Sequence, residues 1–444
     1  MATTYLTRTN SSAGSGTKFT ISTWLKRSSL STGIPRIMEF YHSTSYYISL
    51  RFRDDSTTAL QFYSESNGSG FGFRTNQVFR DVGAFYHIVL SVDTTVGTAD
   101  DRQKLYINGE QVTSFSARAN PTSSVDLGYN TSSATNYIGR KFENSDYFAG
   151  LMSHFHFIDG TAYDASAFGE TDSTTGNWKA KTSPSVTYGT NGFFLKGENS
   201  SALGTDSSGN SNNFTVNGTP TQTKDTPDNV FCTLNPLDNF YASSTFTNGN
   251  LTVATGANQR TPNSSTMGVS KGKYYWEVKL GSNGANGGYI GIQSGQTAND
   301  GVSSARALGY NLYDYAFNSD QQIYTNNTTT SYGGDWTDGD IIGVALDIDN
   351  SLLYFYINGA IQQSGAGFAI ASPSLTKYGV YIPAVSDFKT QVLNFQFNFG
   401  NGFFGTTAVS SAQNPDDGIG IFEHDVPAGY KALCTKSINA QEYS

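Results

Sequence analysis

The chain has 444 residues, of which 37% are hydrophobic and only 14% charged, and its 27 Tyr and 30 Phe make it aromatic-rich. That ring content excludes a disordered polypeptide, and a net charge of −9 with a pI near 5.0 leaves no basic footprint for nucleic acid. The length exceeds what one hydrophobic core usually supports, so two domains are expected.

In chain order, the first half is a succession of segments with period-two apolar alternation: Phe19 to Leu25, Tyr46 to Phe52, Ala59 to Tyr63 and His87 to Val92. Turn clusters such as Glu65 to Gly70 separate them, and no capped helical pattern runs for ten residues. The fold class expected is all-β, two antiparallel β-sandwiches in tandem. Apolar alternation stops between Pro220 and Pro236, where Pro and polar residues dominate. The expected division is therefore a first domain over 1–220, a linker over 221–236, a second domain over 237–408 and a C-terminal segment over 409–444. Both halves repeat one pattern. The strand His87 to Asp93 leads to Lys104-Leu-Tyr-Ile-Asn-Gly109, and Ile341 to Asp349 leads to Leu353-Tyr-Phe-Tyr-Ile-Asn-Gly359. Asn-Gly tolerates the positive φ of a type I′ hairpin turn, so each copy predicts a hairpin.

No stretch of about 18 apolar residues occurs, and the N-terminus lacks an apolar signal region, so neither membrane insertion nor export is expected. Cys232 and Cys434 are too few for a disulfide framework; free thiols are favoured over a bridge. His154 and His156 alternate on one strand and share a face with no third ligand nearby. Burial preference turns Phe155 and Phe157 to the core instead.

Several motifs of the second half, in order, resemble the SPRY domain: Lys273-Tyr-Tyr-Trp-Glu-Val-Lys279, Tyr289-Ile-Gly-Ile292, Leu308-Gly-Tyr310, Asp335-Trp-Thr-Asp-Gly-Asp340 and Phe397-Asn-Phe-Gly400. The resemblance implies a bent sandwich without catalytic activity that binds partners through loops at one edge. The first half is similar to laminin-G-like, concanavalin-A-like sandwiches through Phe19 to Trp24, Phe85 to Leu90, Tyr137-Ile-Gly139 and Phe148 to Phe157. Asp206-Ser-Ser-Gly-Asn210 resembles a segment usually found near that domain's beginning, and Asn191 to Asn217 is read as closing the domain from its other end. The module order, with the Thr226 to Pro236 stretch and Pro427 to Thr435, resembles structural proteins of tailed bacteriophages, marine ones especially.

That resemblance implies a virion structural protein of a tail fibre, tail adaptor or capsid surface, oligomeric in the virion. Its partners would be other virion proteins and host-surface polysaccharide, with a role in host recognition. Tyr46, Tyr129, Tyr313, Asp314 and Tyr315 are the candidate ligand-binding residues. A purely architectural decoration module is the alternative. A polysaccharide depolymerase is the third reading, disfavoured because retaining hydrolysis needs two carboxylates about 5 Å apart and the groupings Glu143/Asp146 and Asp338/Asp340 fall at turns. No cofactor is expected. Calcium is the one ion considered, with Asp159, Asp164, Asp206 and Asn210 as loop oxygen donors, against the plainer reading that Asp and Asn form turns.

Overall fold

The computed structural model describes residues 4–30, 33–55, 57–173, 175–238, 244–256, 262–282, 287–295, 307–387 and 392–442. The chain divides into two compact units, 1–222 and 223–444.

In the first unit an antiparallel sheet of eight strands faces one of six. The strand Lys18–Arg27 sits inside the six-stranded sheet, between Gly150–Asp159 and Tyr86–Asp93. Its alternation sends Phe19, Ile21 and Leu25 to the core, where they meet Phe40, Ile48, Leu50, Phe52 and Phe62 from the other sheet. Phe155 and Phe157 also join that core, as burial preference predicts. A bulge between Ser153 and His156, with His154 at φ 48°, re-aims the histidines. Phe193–Leu195 pairs with Phe155 to Phe157, and Thr215–Asn217 pairs with Tyr5 to Thr7, so residues 191–217 close the sandwich beside its first strand.

The second unit also has two sheets, of nine and six strands. Lys273–Leu280 turns Tyr274, Trp276, Val278 and Leu280 inward to Phe317, Trp336, Val344, Phe355 and Phe397. Its other face presents Tyr275, which packs with Phe231, Phe422, Tyr430 and Ala432. Residues 221–236 therefore do not act as the expected linker: from Thr223 onward they belong to the second unit. Cys232 N donates to Leu433 O at 3.0 Å and Thr435 N to Val230 O at 2.9 Å. The short apolar run Val230 to Leu234, buried throughout, outweighs the prolines that flank it. The segment after 408 is likewise part of this unit, and Lys431–Ala432 pairs with Tyr274 and Tyr275. Cys232 and Cys434 are free thiols in two different clusters.

The repeated hairpin has one physical basis in both units. Asn108 and Gly109 lie at φ 50° and 88°, and Asn358 and Gly359 at 49° and 80°. In each, the Asn side chain reaches back to the first residues of the preceding strand: Asn108 Oδ1 accepts from His87 N at 2.8 Å, and Asn358 Oδ1 from Ile341 N at 2.9 Å. Asn thus supplies both the turn conformation and a staple.

Candidate binding surfaces

In the second unit the residues 307–314 lead into the strand Tyr315–Asn318, which lies inside the six-stranded sheet between Gly288–Gln293 and Gln322–Thr325. Asp314 is buried; its Oδ1 accepts from Ser294 N at 2.8 Å and Ser294 Oγ at 2.9 Å, and its Oδ2 from Asn311 Nδ2 at 3.2 Å. Burial pushes its carboxyl up to about 7, against the pull of those hydrogen bonds. Ser294 Oγ also donates to Leu312 O at 3.1 Å. The next residue, Gly295 at φ 79°, carries the ring of Tyr378, which a Cβ there would strike at 2.0 Å. Side chains at Leu312, Leu375 and Tyr378 remain 44%, 58% and 59% exposed, which is unusual for residues of this size. Leu375 and Tyr378 share one loop, tied at its base by Thr376 Oγ1 donating to Pro373 O at 2.8 Å and Val380 O at 3.0 Å. The result is an apolar loop surface on a hydrogen-bonded floor.

This geometry corrects three of the expected ligand residues. Asp314 is part of the floor. Tyr315 is buried, its hydroxyl accepting from Ala371 N at 2.9 Å, so its ring cannot stack on a ligand. In the first unit Tyr129 is wholly buried, with its ring 5.3 Å from Phe19 and 6.2 Å from Phe40. Asp314 and Tyr315 lie between a turn and the start of a strand and Tyr129 lies in a loop, where the pattern is silent about which layer lies overhead. Tyr313, at φ 68°, is half-buried against the core. Tyr46 is half-buried with its ring on Gly128. Leu312, Leu375 and Tyr378 escaped the sequence reading because lone apolar residues in loops carry no periodic signal.

The proposed calcium donors are engaged with N–H groups. Asp159 Oδ1 accepts from Ser15 N at 2.7 Å and Asn130 Nδ2 at 2.9 Å, and its Oδ2 from Asn191 N at 2.9 Å. Asp164 caps a short helical turn by accepting from Ser166 N at 2.9 Å. Asp206 accepts from Phe194 N, Ser208 N and Asn212 N at 2.8–2.9 Å. Asn210 turns its Nδ2 to Gly189 O at 2.7 Å and Gly192 O at 2.9 Å. The guanidinium of Arg8 lies among them, held by Asn10, Asn191 and Asn212 and attracted by Asp206 and Asp159. A resident cation already attracts Asp159 and Asp206, and oxygens turned to N–H donors, as theirs and that of Asp164 are, do not fit a calcium shell. Among the described residues no three His, Cys, Asp or Glu side chains gather at metal-binding distance.

A second perturbed carboxyl, Glu277, lies under the C-terminal segment. It accepts from Glu423 N and His424 N at 2.9 Å each, Asn398 Nδ2 at 3.2 Å and Tyr275 Oη at 3.3 Å, and burial pushes it up to about 7.

Each unit is a two-sheet sandwich, antiparallel but for one short parallel pairing in the second, so the class is two β-sandwich modules in tandem. Residues 1–167 match the laminin G family described as the concanavalin A-like lectin/glucanases superfamily, and residues 273–402 match the SPRY domain. The chain thus carries a laminin-G-like domain at its N-terminus and a SPRY domain at its C-terminus. Among curated relatives, it is 32% identical over 157 residues to the ATP-dependent RNA helicase DDX1 of Xenopus laevis, a match covering 33% of this chain and 19% of the relative. It is 33% identical over 106 residues to Ran-binding protein 10 of Danio rerio, covering 23% of this chain and 17% of the relative. The chain spans less than a fifth of the length of these relatives. Of solved structures, the SPRY domain of human HERC1 is 18% identical at a TM-score of 0.28, covering 37% of this chain and 96% of that one.

Proposed function

We propose that the chain is a non-enzymatic structural protein of a tailed-phage virion surface, and that its SPRY module docks a protein partner through the edge formed by Leu312, Leu375 and Tyr378. The module order supports the virion assignment by resemblance. The observation that carries the docking reading is the exposed pair Leu312 and Tyr378 on the Asp314–Ser294–Gly295 floor, with exposed Leu375 in the same loop as Tyr378. Apolar side chains on a preorganised base favour a protein ligand, because interface cores are built from such residues. One SPRY-bearing relative is named for binding a protein, Ran, and that partner class is carried over here. Buried carboxylates with hydrogen bonds to N–H groups act as fasteners in this chain, which supports a non-catalytic role.

The test is cross-linking of the chain in intact virions, followed by binding of the identified partner to purified protein. Leu375→Ala with Tyr378→Ala should weaken binding by about tenfold or more while leaving the melting temperature unchanged. A partner held equally well by the double variant overturns the assignment of this edge. A second reading, host glycan recognition, draws on the exposed ring of Tyr378, a stacking platform that a sugar face would suit. Retention on a host polysaccharide column that Tyr378→Ala abolishes would favour it over a protein partner.

A further inference from the structure

The outer face of the first unit's six-stranded sheet is covered by residues 161–173 and 175–190. This cover joins neither large sheet. Its regular structure is a short turn at Ala165–Ala167 and a hairpin of Gly169–Thr171 with Trp178–Ala180, which pairs only with itself. Apolar contact with Val89 and Ile158 holds it, together with Thr20, whose hydroxyl donates to Thr161 O and accepts from Tyr163 N. Its C-terminal end is anchored by Asp159 N donating to Tyr188 O at 2.8 Å and by Asn210 Nδ2 and Asn212 Nδ2 donating to Gly189 O and Thr190 O at 2.7 and 3.0 Å, and two further side-chain ties run to imidazoles of the sheet. The Trp178 indole N–H donates to His87 Nδ1 at 2.9 Å, and Tyr188 Oη lies 2.9 Å from His156 Nδ1.

We propose that this segment is an acid-released cover, lifted from the sheet when His87 and His156 are protonated, so that the aromatic face beneath it, including Trp24 and Phe194, becomes accessible. The hydrogen bonds set the chemistry. Because Trp178 is a donor only, His87 Nδ1 must be the bare nitrogen, and the proton sits on Nε2, 2.9 Å from Ser22 Oγ. A second proton at Nδ1 would set two donors face to face and break the tie. Burial lowers His87 to about 3 and His156 well below its ordinary value, and His154 adds repulsion to both. His87 and Lys196 repel His156 as well. The cover's own charges do not answer this: Lys179 pairs with Asp172 and Glu170, Lys181 donates to Ser166 O, and Asp164 caps its own turn. Trp24 stacks on His87 at 4.6 Å with its Nε1 buried and unpartnered, so lifting the cover also releases a thwarted donor to water.

With the cover lifted, both rings meet water and regain ordinary values near 6.5. Below that pH each imidazole shifts the equilibrium toward the lifted state by up to about tenfold per pH unit, so the pair gives about a hundredfold.

Hydrogen exchange read by mass spectrometry on the full chain, corrected for intrinsic rates, tests this between about pH 7.5 and about pH 5. Peptides from 161–190 should lose protection with that steep dependence while Ile48 to Phe62 stays protected. His87→Gln and His156→Phe should each reduce the slope toward about tenfold per unit. Protection of the cover that is independent of pH, simultaneous loss across the core strands, or slopes unchanged in both variants would overturn the proposal. If the variants do not fold, limited proteolysis of the unsubstituted chain decides: cleavage within the cover confined to acid supports release, and equal cleavage at both pH values sinks it.

Discussion

Asp314 and Glu277 are carboxyls of the second unit that burial raises to about 7, well above the ordinary 3.8 and 4.5. Each is a fastener: Asp314 ties the 307–314 segment to Ser294, and Glu277 ties the C-terminal segment to the sheet through Glu423 N and His424 N. A folded-state value raised above the unfolded one means that the fold prefers the proton. The stabilisation they give is complete below about pH 4 and is lost as pH rises through about 7. Glu277→Gln keeps one acceptor but turns an NH₂ toward the other backbone N–H, so denaturant melts should show a loss of about 1–3 kcal/mol in acid. The same melts should show a flatter pH dependence than the unsubstituted chain between about pH 4.5 and 7. An unaltered slope would mean that Glu277 is not the group that titrates.

At the scale of elements, both units cover one sheet face with irregular chain. Residues 161–173 and 175–190 do so in the first. In the second, residues 409–434 bring Phe422, Tyr430 and Ala432 onto Tyr275 and Ala345. Phe422 is wholly buried, 5.1 Å from the Tyr275 ring, although it lies outside the region that matches the SPRY family. Phe422→Ala should cost about 3–5 kcal/mol, as a full-sized core deletion does, in urea unfolding of the second unit. A cost below about 1 kcal/mol would make the segment a loosely laid tail. The parallel Asn108 and Asn358 staples show why both hairpins were readable in the sequence: the turn and its anchor lie in the same residue.

For the whole molecule, the two units carry opposite proton linkages. The first buries His87 and His156 as neutral rings, with values lowered below 6.5, so it is most stable above that pH and weakens as pH falls. The second buries carboxyls that burial raises to about 7, so it weakens as pH rises through about 7. Each unit has its own core, so calorimetry should resolve two transitions that move in opposite directions between about pH 4.5 and 7.5. One transition, or two that shift together, would contradict this. Strand alternation, turn chemistry and module order were legible because each depends on neighbours in sequence. They sufficed for two sandwiches, for Phe155 and Phe157 inside, and for the closing role of residues 191–217. Exposure at strand ends was not legible. Whether Tyr129 or Asp314 meets water depends on which distant segment lies over it, and whether 221–236 is a linker depends on a partner strand some 200 residues later, where Phe231 meets Cys434. Burial is a property of layers, and only the tertiary structure brings the layers together.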